Sequence, residues 1–205
     1  PDLVVNWREP MEVKPMANPP SIGDNEFFFP WQWGMDDIDA PEAWNAGYTG
    51  EGVRIAILDE GIDRTHPDLS PNLNTDLSTS FVPGEDYYTA DQVYFNHGSH
   101  VSGIAAGADS DFGVIGVAPY AEIMAVKVLS EVNGSGAFSW INAGIVYAAD
   151  NGADVINMSL GAVLDKNGTL EVLDEDENLV EIKIPAKFIQ ELIHVSIDIL
   201  TNYNS

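Results

Sequence analysis

Two short stretches of this chain carry groups able to exchange a proton. Ile55-Ala56-Ile57-Leu58-Asp59-Glu60-Gly61-Ile62-Asp63 ends an apolar run on a carboxylate, and Asn96-His97-Gly98-Ser99-His100-Val101-Ser102-Gly103-Ile104-Ala105-Ala106-Gly107 puts an imidazole at a glycine-flanked helix start. A carboxylate beside an imidazole fixes the ring's tautomer and stabilises the imidazolium formed when the ring takes a proton from a nucleophile. Asp59 and His97 are therefore a candidate acid and base. Gly61 allows a tight turn directly after the acid, and Gly98 lets the helix begin close against it. Such a pair works on a nucleophile, and Ser102 does not suit the part: it would sit one turn from His97 on the same helix, a poor position for attack.

These groups need a scaffold, and the sequence offers one. The run Val53 to Leu58 suits a strand buried on both faces, a helix begins near His97, and Ile123 to Leu129 is a second apolar strand. A helix over Ser139 to Ala149 and a short strand Val155-Ile156-Asn157-Met158 repeat the pattern. Alternating strands and helices imply an α/β fold, a three-layer doubly wound parallel sheet. In open sheets of that kind chemistry gathers at the carboxyl ends of the strands, where Asp59, the segment from Leu129 to Gly136 and Ser159 all fall. Upstream, Asp39 is a helix N-cap with Pro41 in the first turn and Gly47 as the stop.

The ends of the chain read differently. Residues 1–24 are proline-rich and have the composition of a linker or the end of a removed pro-region, leaving 25–205 as a partial domain. The stretch 163–184 is polar and acidic, with Asp165-Lys166-Asn167-Gly168 as a hairpin turn and Asp174-Glu175-Asp176-Glu177-Asn178 as a charged tip, so it reads as a surface insertion. An apolar helix over 185–202 has nothing in this chain to lead into. That helix and the open sheet edge are expected to expose apolar surface, through which the chain could associate.

Bulk properties narrow the partners. With 205 residues, 45% of them hydrophobic, the chain can bury a core. A net charge of -25 with eight Lys plus Arg argues against a nucleic acid or an anionic membrane, because a phosphate surface would be repelled. There is no cysteine, so disulfide and thiol chemistry are absent. No apolar run reaches the roughly 18 residues of a membrane span.

Five motifs in register identify the relationship. Ala56-Ile57-Leu58-Asp59-Glu60-Gly61-Ile62-Asp63, His66-Pro67-Asp68-Leu69, His97-Gly98-Ser99-His100-Val101-Ser102-Gly103, Gly116-Val117-Ala118-Pro119 and Val155-Ile156-Asn157-Met158-Ser159-Leu160-Gly161 resemble the subtilisin-like serine proteases (S8 family) from about Asn25 to Gly161. The resemblance implies a serine endopeptidase with Asp59 as triad acid, His97 as base and His100 in support, acting outside the cytoplasm. Glu60 and Ser99 depart from the family's usual Ser or Thr and usual Thr. It also implies a groove that clamps an extended peptide or protein substrate between two strand-like edges. Leu129, Ser130, Gly134, Ser135 and Gly136 match one edge, and Ser159, Leu160 and Gly161 the other; on composition alone, Asn133 to Gly136 reads equally well as a simple turn. A structural calcium is implied too, held by Asp68 with Ala108, Ser110, Phe112 and Val114, and with Asn25 or neighbouring Asp24 supplying a further oxygen.

The family's last two pieces, an oxyanion Asn and a Gly-Thr-Ser nucleophile, do not occur after Gly161 in this sequence. Ser159, Ser196 and Ser205 have neither that lead nor the Met-Ala that follows the family's nucleophile. The expectation is an N-terminal portion of a peptidase domain that is inactive alone. A non-catalytic peptide binder is the alternative reading, and metal hydrolysis by Asp59, His97 and His100 is a third, weakened by the absence of a further strong ligand.

Overall fold

The computed structural model describes residues 20–89, 96–161, 169–173 and 179–183. A 3₁₀ turn at Phe29–Trp31 leads into α1 (Trp33–Asp37) and α2 (Ala40–Asn45). Then come β1 (Arg54–Asp59), β2 (Thr79–Ser80), α3 (His97–Ala106), β3 (Glu122–Lys127), α4 (Phe138–Asp150) and β4 (Val155–Asn157). The four strands form one sheet in the order β2-β3-β1-β4, and every pairing is parallel. β1 and β3 pair along their whole length, with Arg54 opposite Glu122 and Asp59 opposite Lys127.

Side-chain alternation along a strand explains the layers. Ile55 and Ile57 of β1 and Ile123 and Ala125 of β3 point to one face, where Ile62, Leu69, Ala106 of α3 and Ala121 cover them. The intervening Ala56, Leu58, Met124 and Val126 point to the other face, onto Ile145 and Ala148 of α4. Both faces are dry, so both parities must be apolar, and the runs read as continuous rather than alternating. A third cluster of Phe29, Met35, Ala40, Trp44 and Ile115 attaches the N-terminal helices to the domain. Trp44 Nε1 donates to the Val117 carbonyl at 2.9 Å, so the buried indole is satisfied.

The structure adds to or differs from expectation at two places. Asp39 occupies the N-cap position of α2 in a left-handed conformation, φ 56°, and its side chain makes no capping hydrogen bond. The acidic stretch holds a two-stranded antiparallel ribbon, β5 (Thr169–Leu173) with β6 (Leu179–Lys183). Leu173 pairs with Leu179, while the charged tip expected at 174–178 and the turn expected at 165–168 lie outside the described residues. The terminal helix expected over 185–202 and nearly all of the 1–24 linker also lie outside them. No helix among the described residues is long and apolar enough to cross a membrane.

Candidate active site

Asp59 is the last residue of β1 and shares the parity of Ile55 and Ile57, so it continues the face that carries α3. His97 is the first residue of α3. The sheet thus delivers a carboxylate, and the crossover from β1 returns an imidazole to meet it. His97 Nδ1 lies 2.9 Å and 3.0 Å from the two carboxylate oxygens. Asp59 is 1% exposed, whereas the His97 side chain is 42% exposed. An ionised carboxylate only accepts hydrogen bonds, so Nδ1 is the protonated nitrogen and Nε2 the basic one. The Glu60 backbone N–H also donates to Asp59 Oδ1, at 2.8 Å.

The start of α3 is fixed from both sides. Asn96 is its N-cap, with Oδ1 accepting from the Ser99 N–H at 2.7 Å. Ser99 Oγ also donates to Asn96 Oδ1 at 2.7 Å and accepts from the Asp63 N–H at 2.7 Å, tying the helix to the turn after β1. Glu60 Oε1 accepts from the His97 N–H at 2.6 Å and from Asn96 Nδ2 at 3.2 Å. A carboxylate at the positive end of a helix is stabilised there, so the family departure at Glu60 has a role: it holds His97's backbone. At Gly98 a Cβ would stand 2.1 Å from the Gly61 carbonyl, so only glycine permits this approach of helix and turn.

A cleft of about 420 Å³ opens beside the pair, lined by Asp59, Glu60 and His97 and by Leu129, Gly134, Ser135, Gly136, Ser159, Leu160 and Gly161. Seven of the eight residues matched to a substrate groove therefore share one cavity with the acid and the base. Ser130 is the exception: it is turned away from the cleft, with Oγ donating to Glu85 Oε1 at 2.5 Å. Glu60, which the sequence marks only as a departure from the family pattern, also lines the cleft, as do Phe138 and Ile141. Ile141 belongs to the helical pattern expected over Ser139 to Ala149, and Phe138 is the first residue of α4. His100 lines a different cavity, with His66, Asp68 and Leu69. Among the described residues no group of three or more His, Cys, Asp or Glu is arranged to hold a metal, which removes support from the reading with Asp59, His97 and His100 as ligands. Ser102 is fully buried on α3, its Oγ without a hydrogen-bond partner among the described residues.

The segment matched to calcium by resemblance packs against two buried carboxylates. Asp68 is buried against residues 108–114, its backbone carbonyl accepting from the Ala108 N–H at 2.8 Å and Oδ2 accepting from the Val114 N–H at 3.1 Å. Asn25 and Asp24 are exposed, and the buried residue of that segment is Glu26. Glu26 Oε1 accepts from the Ser110 N–H at 2.5 Å and the Asp111 N–H at 2.8 Å. Glu26 Oε2 and Asp68 Oδ1 are buried with no hydrogen-bond partner among the described residues. Burial raises both carboxyls above their ordinary values; hydrogen bonds from Ser110 and Asp111 to Glu26, and from Val114 to Asp68, oppose that rise without cancelling it, and nearby Asp109 and Asp68 push Glu26 further up. Two buried carboxylate oxygens without hydrogen-bond partners are donors of the type a hard cation takes. The residue doublet Asn25-Glu26 held the signal, but its parity of burial is set by the turn that follows Gly23.

With this geometry in view, the comparisons decide the family. The model of the Subtilase family matches residues 50–184. The chain belongs to the subtilase family. Subtilisin E of Bacillus subtilis (strain 168) is 44% identical over 143 residues, which is 70% of this chain and 36% of that protein. Subtilisin Savinase of Lederbergia lenta is 48% identical over 130 residues, 63% of this chain and 45% of that protein. The major intracellular serine protease of Bacillus subtilis (strain 168) is 38% identical over 175 residues, 76% of this chain and 54% of that protein. Among solved structures, fervidolysin from Fervidobacterium pennivorans, described as a keratinolytic enzyme related to subtilisin, superposes with a TM-score of 0.60 at 29% identity, over 71% of this chain and 22% of that one. This subtilase chain thus spans 36% of Subtilisin E and 54% of the intracellular protease.

Proposed function

We propose that this chain carries the acid, the base and part of the peptide groove of a subtilisin-type serine endopeptidase. His97, oriented by Asp59, would take the proton from a serine hydroxyl as it attacks a peptide carbonyl, then return it to the leaving amine. The observation that supports this most is the Nδ1 contact to a buried carboxylate by a His97 that lines the cleft. Leu129 with Gly134 to Gly136, and Ser159 to Gly161, would add the substrate as a strand between two edges. Calcium would be held by Asp68, Glu26, Ser110 and the carbonyls of Ala108, Phe112 and Val114, and would supply charge that the two buried carboxylates lack.

Within these 205 residues no serine has the nucleophile's context, and losing the nucleophile alone lowers turnover about a million-fold in such enzymes. The chain by itself is therefore inactive, and it associates through the β4 edge, where Val155 is exposed. A location outside the cytoplasm belongs to the same proposal, with cell fractionation as its check. A fluorogenic peptide assay tests the inactivity: no turnover is expected, and hydrolysis blocked by a serine-directed inhibitor and lost in His97→Ala would contradict it.

A further inference from the structure

Lys127 is one of the most deeply buried residues in the domain, with 0% exposure, although a lysine is costly to bury unless it is paired. It is the last residue of β3, opposite Asp59 in the sheet and on the same face. Its ammonium, however, does not serve Asp59. It meets Glu85 Oε2 at 2.8 Å and Glu131 Oε2 at 3.0 Å. Glu85 in turn accepts from Ser130 Oγ at 2.5 Å and from the Glu131 N–H at 3.1 Å. Burial pulls the Glu85 carboxyl upward, but the bonds from Lys127, Ser130 and Glu131 outweigh it and leave the group below its ordinary value.

This network ends at the groove. Ser130 closes the loop that forms the first edge: its N–H donates to the Ser135 carbonyl and its carbonyl accepts from the Gly134 N–H, both at 2.8 Å. Ser130 Oγ also accepts from the Val132 N–H at 3.2 Å, so one hydroxyl joins the loop's backbone to Glu85.

We infer that Lys127, acting through Glu85 and Ser130, is the positioning residue that holds the 130–136 edge at the spacing a peptide needs. This inference rests on the peptide-groove reading of the cleft. Ser130, matched by resemblance to substrate binding, acts on the other side of its own loop. The chain Lys127 to Glu85 to Ser130 is a lever between the sheet end that carries Asp59 and the wall that would face a substrate.

The test uses the full 205-residue chain and a dye-labelled, capped octapeptide of alanine, serine and lysine, with hydrogen exchange read alongside. Ser130→Ala removes one hydroxyl at a partly exposed site and should keep the fold. It is expected to speed exchange at the Glu131, Val132 and Gly134 amides about tenfold and to weaken the peptide about tenfold, by loss of a charge-assisted hydrogen bond. Glu85→Gln should do the same, Ser130→Thr should retain both properties, and the His97 amide should exchange as before in all three. Faster loop exchange with unchanged affinity would overturn the positioning role, as would Ser130→Thr behaving like Ser130→Ala. No peptide binding by the unmodified chain would instead overturn the groove reading itself, which separates the two failures.

Discussion

Replacing Gly98 by alanine perturbs the site at its narrowest point. The new Cβ would lie 2.1 Å from the Gly61 carbonyl oxygen and 3.2 Å from Asp59 Cβ, so the helix start must retreat by about 1 Å to reach ordinary contact. His97 adjoins that position, and its Nδ1 sits at 2.9 Å and 3.0 Å from Asp59; a retreat of that size takes it beyond hydrogen-bonding reach. Overpacking of this kind costs about 1–3 kcal/mol, and a hydrogen bond to a buried charge is worth about 1.5–3 kcal/mol. A loss of about 3 kcal/mol is expected, large beside the roughly 5–15 kcal/mol that holds a domain folded. At about 2 kcal/mol per molar, urea unfolding should shift its midpoint down by about 1.5 M. The low-field His97 Nδ1 proton in the NMR spectrum should disappear with it. A midpoint within about 0.3 M of the unmodified chain, with that proton retained, would refute the claim that Gly98 sets the distance between the pair.

Other perturbations follow from the same contacts. Asn96→Ala removes the cap of α3 and Glu60's second partner, and should cost about 1 kcal/mol by urea unfolding while leaving the sheet intact. Leu58→Ala opens a cavity under α4 and should cost about 2–5 kcal/mol in the same assay. Glu26 and Asp68 have folded values raised above their unfolded ones, so with calcium chelated their contribution is present below the unfolded carboxylate range and is lost as pH rises through the folded values. Glu85 has the opposite sign: its contribution is present above the unfolded value and lost as pH falls through the lowered folded one. Thermal unfolding against pH should therefore flatten on the acid side in Glu85→Gln, and the fall toward neutral pH should shrink in Glu26→Gln. Added calcium should raise the neutral-pH melting temperature of the unmodified chain and raise that of Glu26→Gln much less.

What could be read from the residues was governed by how local the signal was. The sheet was legible because β1 and β3 are buried on both faces and their apolar runs are continuous. Asp59 and His97 were legible because each ends or begins an element with a glycine beside it. Glu26 was harder, since it neighbours Asn25 and only the turn after Gly23 decides which of the two is buried. The direction of the Ser130 side chain was not legible, because its loop motif lies beside the groove while its hydroxyl bonds to Glu85, 45 residues away in sequence. Lys127 and Glu85 had no local mark at all: a lysine within an apolar strand has no visible counter-charge until the fold brings its two carboxylate partners to it. Asp39 shows the converse, a residue type suited to capping whose left-handed backbone leaves its side chain without that bond.

The most direct test of the site is a peptide titration of the chain followed by NMR at the His97 ring and the backbone amides. Saturable shifts are expected at His97, Leu129, Gly134 to Gly136 and Ser159 to Gly161, with the Nδ1 proton kept on Asp59 throughout. Shifts confined to other surfaces, or a His97 ring whose Nδ1 is unprotonated in the folded chain, would contradict the assignment of Asp59 and His97 to a peptide-hydrolysing site.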